Sequence, residues 1–260
     1  MAEPEGTPGR RPAVIVIHEI FGPDAHIQVV AQRFAAEGFV ALAPNLFSGE
    51  ISGLLTPAAV TSGMTFLRSL PPEVQRDPAA IRARIQERPE GERKLLEALG
   101  RIQDPEEHGR FGEDLVGVAE FLRAQPTVDP HRVTSVGFCF GGGMSARLAT
   151  RDPRLAGAVI FYGNAPPAVD LPGVRCPLLG LYGAEDARIT DTVPDLVAAT
   201  GRLGIPFSYH IYPGAPHAFF NDTRPNYRPE AARDAWDRVL RFLRSPPVGG
   251  PAPGRAGGAP

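Results

Sequence analysis

The chain has almost no cysteine. Cys139 and Cys176 are its two, too few for a disulfide framework, and neither belongs to a Cys/His spacing that would hold zinc. It is almost as poor in lysine, Lys94 being the single one. Basicity therefore rests on arginine, and the formal net charge is only −2. A balance so close to neutral supplies no field that would recruit nucleic acid or an anionic membrane. No apolar run reaches the length needed to cross a bilayer. Met1 to Pro12 is polar and rich in Pro and Gly, without the apolar stretch of a signal peptide. These absences set the expectation of a cytoplasmic protein with no nucleic-acid or membrane partner, in a reducing compartment that suits a free thiol.

What is present reads as one α/β domain over residues 12–244, with disordered tails expected at 1–11 and 245–260. Ala13-Val14-Ile15-Val16-Ile17-His18 is a continuous apolar run, as expected of a strand covered on both faces. A helix capped by Asp24 and a strand over Phe39 to Ala43 follow, and this alternation predicts a mostly parallel, doubly wound sheet. From Ser48 to Gly112 the strand pattern disappears, leaving helical patches around Pro57 to Leu70, Pro78 to Glu87 and Glu92 to Ile102. A helical excursion over about 48–112 is expected to act as a lid. Strand and helix then alternate again: a helix over Glu113 to Ala124, strands at Ala156 to Tyr162, Pro177 to Tyr182 and Phe207 to Tyr212, and a closing helix over Pro229 to Leu243.

The stretch that organises the rest is Val133-Thr134-Ser135-Val136-Gly137-Phe138-Cys139-Phe140-Gly141-Gly142-Gly143. It has the form of a strand, a Gly-x-Cys-x-Gly turn and a helix start: a nucleophile elbow with Cys where Ser is usual. Glycines two residues either side allow the strained backbone of the central residue. The helix that follows directs its N-terminal N–H groups at the sulfur and favours thiolate. That help matters, because a free thiol near pKa 8.5 is only about 3% ionised at pH 7. The competing reading is a buried structural Cys behind a tight turn.

In doubly wound sheets chemistry collects beyond the carboxyl ends of strands. Three such loops carry ionisable groups: His18-Glu19-Ile20-Phe21-Gly22, Gly183-Ala184-Glu185-Asp186, and Pro213 to Phe219 containing His217. Cys139, Asp186 and His217 follow the order nucleophile, acid, histidine of α/β-hydrolase triads. His217 would take the thiol proton and later protonate the leaving oxygen, and Asp186 would fix the imidazole tautomer. Asp186 could instead be a helix N-cap, with Glu185 or Asp191 as the orienting acid. An oxyanion hole needs two backbone N–H donors, and Phe140 and Ile20 are placed to give them. His18 reads as a packed core residue, and His26, His108, His131 and His210 as surface or strand positions. Cys176 reads as a small buried hydrophobe. His18-Glu19 is no zinc motif, since no His follows three residues after Glu19.

Gly137-Phe138-Cys139-Phe140-Gly141-Gly142, His18-Glu19-Ile20-Phe21-Gly22, Pro44-Asn45-Leu46-Phe47, Gly183-Ala184-Glu185-Asp186 and Pro216-His217-Ala218-Phe219 together resemble the dienelactone hydrolase family of carboxymethylenebutenolidase-like α/β-hydrolases. The likeness runs from roughly Pro12 to Leu243 and is weakest across the excursion. It implies an α/β-hydrolase fold, a Cys-His-Asp triad and no metal or organic cofactor. It also implies a role for Glu19, whose family counterpart lies near the thiol and helps generate the thiolate when substrate binds; the alternative for Glu19 is a loop-stabilising salt bridge. The family binds a substrate carboxylate with arginines, one of them four residues beyond the triad histidine. Here that position is Asn221, and Arg224, Arg188, Arg68, Arg82 and Arg84 are alternatives with no assignment.

The resulting expectation is a cofactor-free hydrolase that opens a small lactone or activated ester through an acyl-thioester on Cys139. Two other readings compete. An acyltransferase would use the same nucleophile and partition toward an added thiol or alcohol. A non-catalytic thiol sensor or ligand-binding member would show a modifiable Cys139 without turnover.

Overall fold

The computed structural model describes residues 1–4, 9–47, 51, 53–102 and 104–245. Its centre is a six-stranded sheet in the order β2-β1-β3-β4-β5-β6. The strands are β1 (Arg11–Ile17), β2 (Val40–Leu42), β3 (Val128–Phe138), β4 (Gly157–Phe161), β5 (Leu178–Gly183) and β6 (Phe207–Tyr212), and every adjacent pair is parallel. The chain builds outward from β1 to β2, then returns past β1 to lay down β3 to β6 on its other side. The reversal falls between β1 and β3, whose register Ile17 to Gly137 brings their carboxyl ends level. A crevice at such a switch point is where doubly wound sheets bind ligands.

The helices are α1 (Ala25–Ala36), α2 (Pro57–Ser69), α3 (Pro72–Gln75), α4 (Pro78–Gln86), α5 (Glu90–Arg101), α6 (Pro105–Arg123), α7 (Phe140–Arg151), α8 (Ala187–Thr190), α9 (Val193–Leu203) and α10 (Pro229–Arg244). Alternation along β1 shows how they divide. Val14 and Val16 pack with Phe34 of α1 and Trp236 and Val239 of α10 on one face. Ala13, Ile15 and Ile17 pack with Leu115 of α6 and Leu148 of α7 on the other. Residues 13–17 are all fully buried, so β1 needs apolar side chains at successive positions rather than at every second one.

The excursion joins this second core. Val60 of α2, Ile85 of α4, and Leu96 and Leu99 of α5 are buried with Phe47, Phe111 and Leu115. Apolar burial of these side chains stabilises by about 1.5–3 kcal/mol each, which anchors the helices of the excursion to the α6 and α7 side of the sheet. At the N-terminus, Ala2 pairs antiparallel with Ala41 of the edge strand β2 through backbone bonds of 2.8 and 2.9 Å, and β1 starts at Arg11, which pairs with Val128 of β3. Residues 5–8, and the C-terminal tail beyond Ser245, lie outside the described residues.

Candidate active site

Cys139 stands between β3 and α7 with φ 55° and ψ −115°, a region that L residues enter only when surroundings enforce it. Two close approaches enforce it here. A Cβ on Gly137 would lie 1.8 Å from the Gly141 carbonyl oxygen, and one on Gly141 would lie 2.3 Å from that of Ile17. Only glycine at both positions lets α7 start directly over the ends of β3 and β1. The Cys139 N–H donates to the Phe161 carbonyl at 3.0 Å, and the thiol is half-buried.

His217 Nε2 lies 3.1 Å from Cys139 Sγ, and His217 Nδ1 lies 2.5 Å from Asp186 Oδ2. Asp186 accepts only, so Nδ1 carries the proton and Nε2 faces the sulfur. Asp186 does occupy the N-cap position of α8, but its side chain makes no capping bond and serves His217 instead. Glu185 and Asp191 are exposed. The Glu185 N–H donates to the Ala215 carbonyl at 3.0 Å, tying the acid loop to the histidine loop. Burial alone lowers the His217 pKa, but the hydrogen bonds to Asp186 and Cys139, with their negative charge, carry it up to about 10.

Glu19 is 3% exposed. Burial raises its pKa, opposed by a hydrogen bond that the Asn221 amide donates to Oε2 at 2.8 Å. The Tyr162 hydroxyl donates to Oε1 at 3.4 Å. Neither contact is a salt bridge, so the loop-stabilising ion pair considered for Glu19 is absent among the described residues. Asn221 is itself fully buried and accepts from Thr223 through N–H and hydroxyl. The position where a family arginine was expected thus holds Glu19 in place.

A cavity of about 330 Å³ opens over Sγ, lined by Ile20, His108, Cys139, Phe140, Gly143, Met144, Arg147, Tyr162, Arg188 and His217, with the loop after β4. Both expected N–H donors border it. Phe140 starts α7 and has no intrahelical acceptor, and the Ile20 N–H donates to no group among the described residues. Of the arginines singled out from sequence, Arg188 lines the cavity. Arg224 stacks on Phe21 at 4.1 Å, and Arg68, Arg82 and Arg84 lie exposed on α2 and α4, away from it.

Three lining residues escaped the sequence reading. Arg147 lies on α7 at the i, i+3, i+4, i+7 spacing of Phe140, Gly143 and Met144, a periodicity that could have found it. Tyr162 follows β4 with φ 38° at a strand end, where the same rule that found His217 applies. His108, read as a surface or strand position, lies on α6, donates from Nε2 to the Ile102 carbonyl at 2.8 Å, and packs its ring 5.8 Å from Phe140. Among the described residues it is the one through which the excursion reaches the cavity. Cys176 is buried, and burial pushes its thiol up to about 12. Among the described residues no group of three His, Cys, Asp or Glu side chains is gathered to hold a metal, and no helix is long and apolar enough to cross a membrane.

A parallel doubly wound sheet with a sulfur, imidazole and carboxylate in line at its switch point defines the α/β-hydrolase class. Comparison with known proteins narrows the class. The model of the dienelactone hydrolase family matches residues 1–246. A Saccharolobus solfataricus protein described as "Putative carboxymethylenebutenolidase" is 38% identical over 233 residues, spanning 89% of this chain and 88% of its own. The crystal structure of a "Putative Dienelactone Hydrolase" from Klebsiella pneumoniae superposes with a TM-score of 0.67 at 30% identity, covering 93% of this chain and 90% of that one. That of a dienelactone hydrolase-like promiscuous phosphotriesterase from metagenomic libraries superposes with a TM-score of 0.62 at 25% identity, covering 93% and 89%. The chain belongs to the dienelactone hydrolase family and is an ester or lactone hydrolase.

Proposed function

We propose that this protein hydrolyses a small, anionic lactone or activated ester through a covalent acyl-thioester on Cys139. The observation that carries the proposal is His217 bridging Sγ and Asp186 at the floor of the cavity. His217 takes the thiol proton, and the resulting imidazolium is the counter-ion of the attacking sulfur. Sulfur bonds to the carbonyl carbon, and the oxygen turns toward the N–H groups of Ile20 and Phe140. The C–O bond to the leaving group breaks as Nε2–H protonates the departing oxygen, which in a lactone stays tethered to the acyl chain. Water then attacks the thioester while His217 accepts its proton, and the C–S bond breaks with the proton returned to sulfur. Glu19 is biased by burial to its neutral form, which spares the thiolate the repulsion of a second anion.

The substrate class follows from the cavity wall. Arg147 and Arg188 line it, and no carboxylate does among the described residues. Arg147 is mostly buried and, among the described residues, reaches an ion-pair partner, Asp170, only at 3.8 Å, so it retains donors for a substrate carboxylate.

The test is intact-protein mass after brief exposure to 4-nitrophenyl acetate and to a 4-nitrophenyl ester bearing a free carboxylate. An acyl adduct on the wild type that is lost in Cys139→Ser, with higher kcat/KM for the carboxylate-bearing ester, is expected. Turnover retained in Cys139→Ala would overturn the nucleophile, and equal kcat/KM for both esters would overturn the substrate class.

A further inference from the structure

We propose that His18 is a positioning residue for the oxyanion hole: its ring fixes the Glu19–Ile20 peptide so that the Ile20 N–H faces the sulfur. The inference rests on the acyl-thioester reading and adds a residue that does not touch the substrate. His18 is fully buried, yet neither ring nitrogen is idle. Nε2 accepts the Leu46 N–H at 3.1 Å, and Nδ1 lies 2.6 Å from the Glu19 carbonyl oxygen. An acceptor at Nε2 leaves the proton on Nδ1, so the ring donates to Glu19. Burial holds the ring neutral, with its pKa lowered to about 4, and this tautomer persists across the working range.

The consequence comes from peptide geometry. Among the described residues no peptide bond is cis, and in a trans peptide the C=O and the following N–H point in opposite directions. The Glu19 carbonyl is drawn toward the loop after β2 by His18 and is also bonded by the Gly22 N–H at 3.3 Å. Its partner across the same peptide, the Ile20 N–H, is thereby turned the other way, unclaimed by protein, at a cavity shared with Cys139 and Phe140. The anchor is firm, since the Phe47 N–H bonds the Asn45 side chain at 3.0 Å and the Phe47 ring packs 4.7 Å from His18. The Phe140 ring lies 6.2 Å from the other side, so one imidazole braces the residues of both oxyanion donors. A core position that needed only bulk would be met by Phe; the two directed backbone bonds need an imidazole.

Two substitutions separate positioning from packing. His18→Phe keeps an aromatic ring and removes both hydrogen bonds, whereas His18→Gln loses the ring and keeps a donor and an acceptor. Ester hydrolysis, alkylation of Cys139 by iodoacetamide and binding of a small trifluoromethyl ketone, followed by ¹⁹F NMR, are measured on each. Alkylation passes through no oxyanion; the ketone adduct on sulfur does. In His18→Phe, kcat is expected to fall by about 10², as for loss of one oxyanion donor. KM should change little, ketone affinity should drop at least about tenfold, and alkylation should persist. His18→Gln should recover most of kcat. The proposal is overturned if His18→Phe keeps kcat within a few-fold of wild type, or if alkylation falls in parallel with kcat. Should His18→Phe fail to fold, a His18→Gln enzyme that alkylates normally yet loses kcat and ketone affinity overturns it equally. Wild-type protein that binds the ketone but turns over no ester would sink the hydrolase reading instead, and the His18 comparison would still be read from ketone affinity.

Discussion

The ionisation of His217 is strongly altered by folding. Its pKa rises to about 10 because Asp186 and Cys139 together outweigh the cost of its burial. A raised imidazole pKa stabilises the folded state fully below its unfolded value of about 6.5. The contribution fades as pH climbs through about 10. Removing the anion while keeping an acceptor tests the cause. In Asp186→Asn, the His217 titration followed by NMR should shift from about 10 toward 6.5, and kcat should fall by roughly 10²–10⁴. A midpoint that stays near 10 would mean that Asp186 is not what holds the charge. Cys139, Asp186 and His217 could be grouped from sequence because each sits just past a strand beside Gly or Pro, a local pattern. Tyr162 and Arg147 were harder to find. Tyr162 ends a strand as His217 does, but its φ of 38° is not announced by its residue type, and Arg147 shares a helical face with Phe140, Gly143 and Met144 whose meaning shows only once the cavity beside α7 is seen.

At the scale of elements, the junction of β1, β3 and α7 does the positioning. Because Gly141 sits under the Ile17 and His18 carbonyls, at 2.3 and 2.5 Å from where a Cβ would be, the Ile20 loop and the elbow cannot move independently. Gly141→Ala should force β1 and α7 apart, destabilising by about 1–3 kcal/mol as overpacking does, with kcat falling further than stability alone explains. Urea unfolding with parallel kinetics measures both; a folded, fully active Gly141→Ala would show that the junction is not the constraint. The strands were legible because burial on both faces writes an unbroken apolar run, as in residues 13–17. Two boundaries were not. The sequence placed the strand start near Val133, whereas β3 begins at Val128, because Asp129-Pro130-His131-Arg132 carries a polar run through a register shift opposite Arg11 and Ala13. The sequence likewise placed a helix start at Glu113, whereas α6 begins at Pro105 behind an Asp104 cap that accepts from the Glu106 N–H at 2.8 Å. Glycines at 109 and 112 in a polar first half masked its periodicity.

Across the whole molecule, the sheet gathers groups that sequence keeps far apart. Glu19 meets Tyr162 and Asn221 across separations of 143 and 202 residues, and no window along the chain could pair them. The resemblance supplied Glu19, but what surrounds it is a property of the assembled fold: two neutral donors on its oxygens, with the electrostatic pull of His26 and His217 too weak to offset its burial. A carboxyl buried in this way has a folded-state pKa above its unfolded value. The sign of the effect on stability is fixed by that order. Below the ordinary carboxylate range both states are protonated and burial costs nothing through ionisation. As pH rises past it, the unfolded chain releases the proton that the native state retains, and stability falls until the folded pKa is reached. Glu19→Gln removes this dependence while leaving an oxygen for Asn221 and a donor for the Tyr162 hydroxyl. It should therefore melt higher than wild type at pH 7. The difference should shrink to nothing near pH 4, and ester turnover should be reduced at every pH. A variant that melts lower at pH 7 would mean that the ionised carboxylate, not its neutral form, is what the fold accommodates.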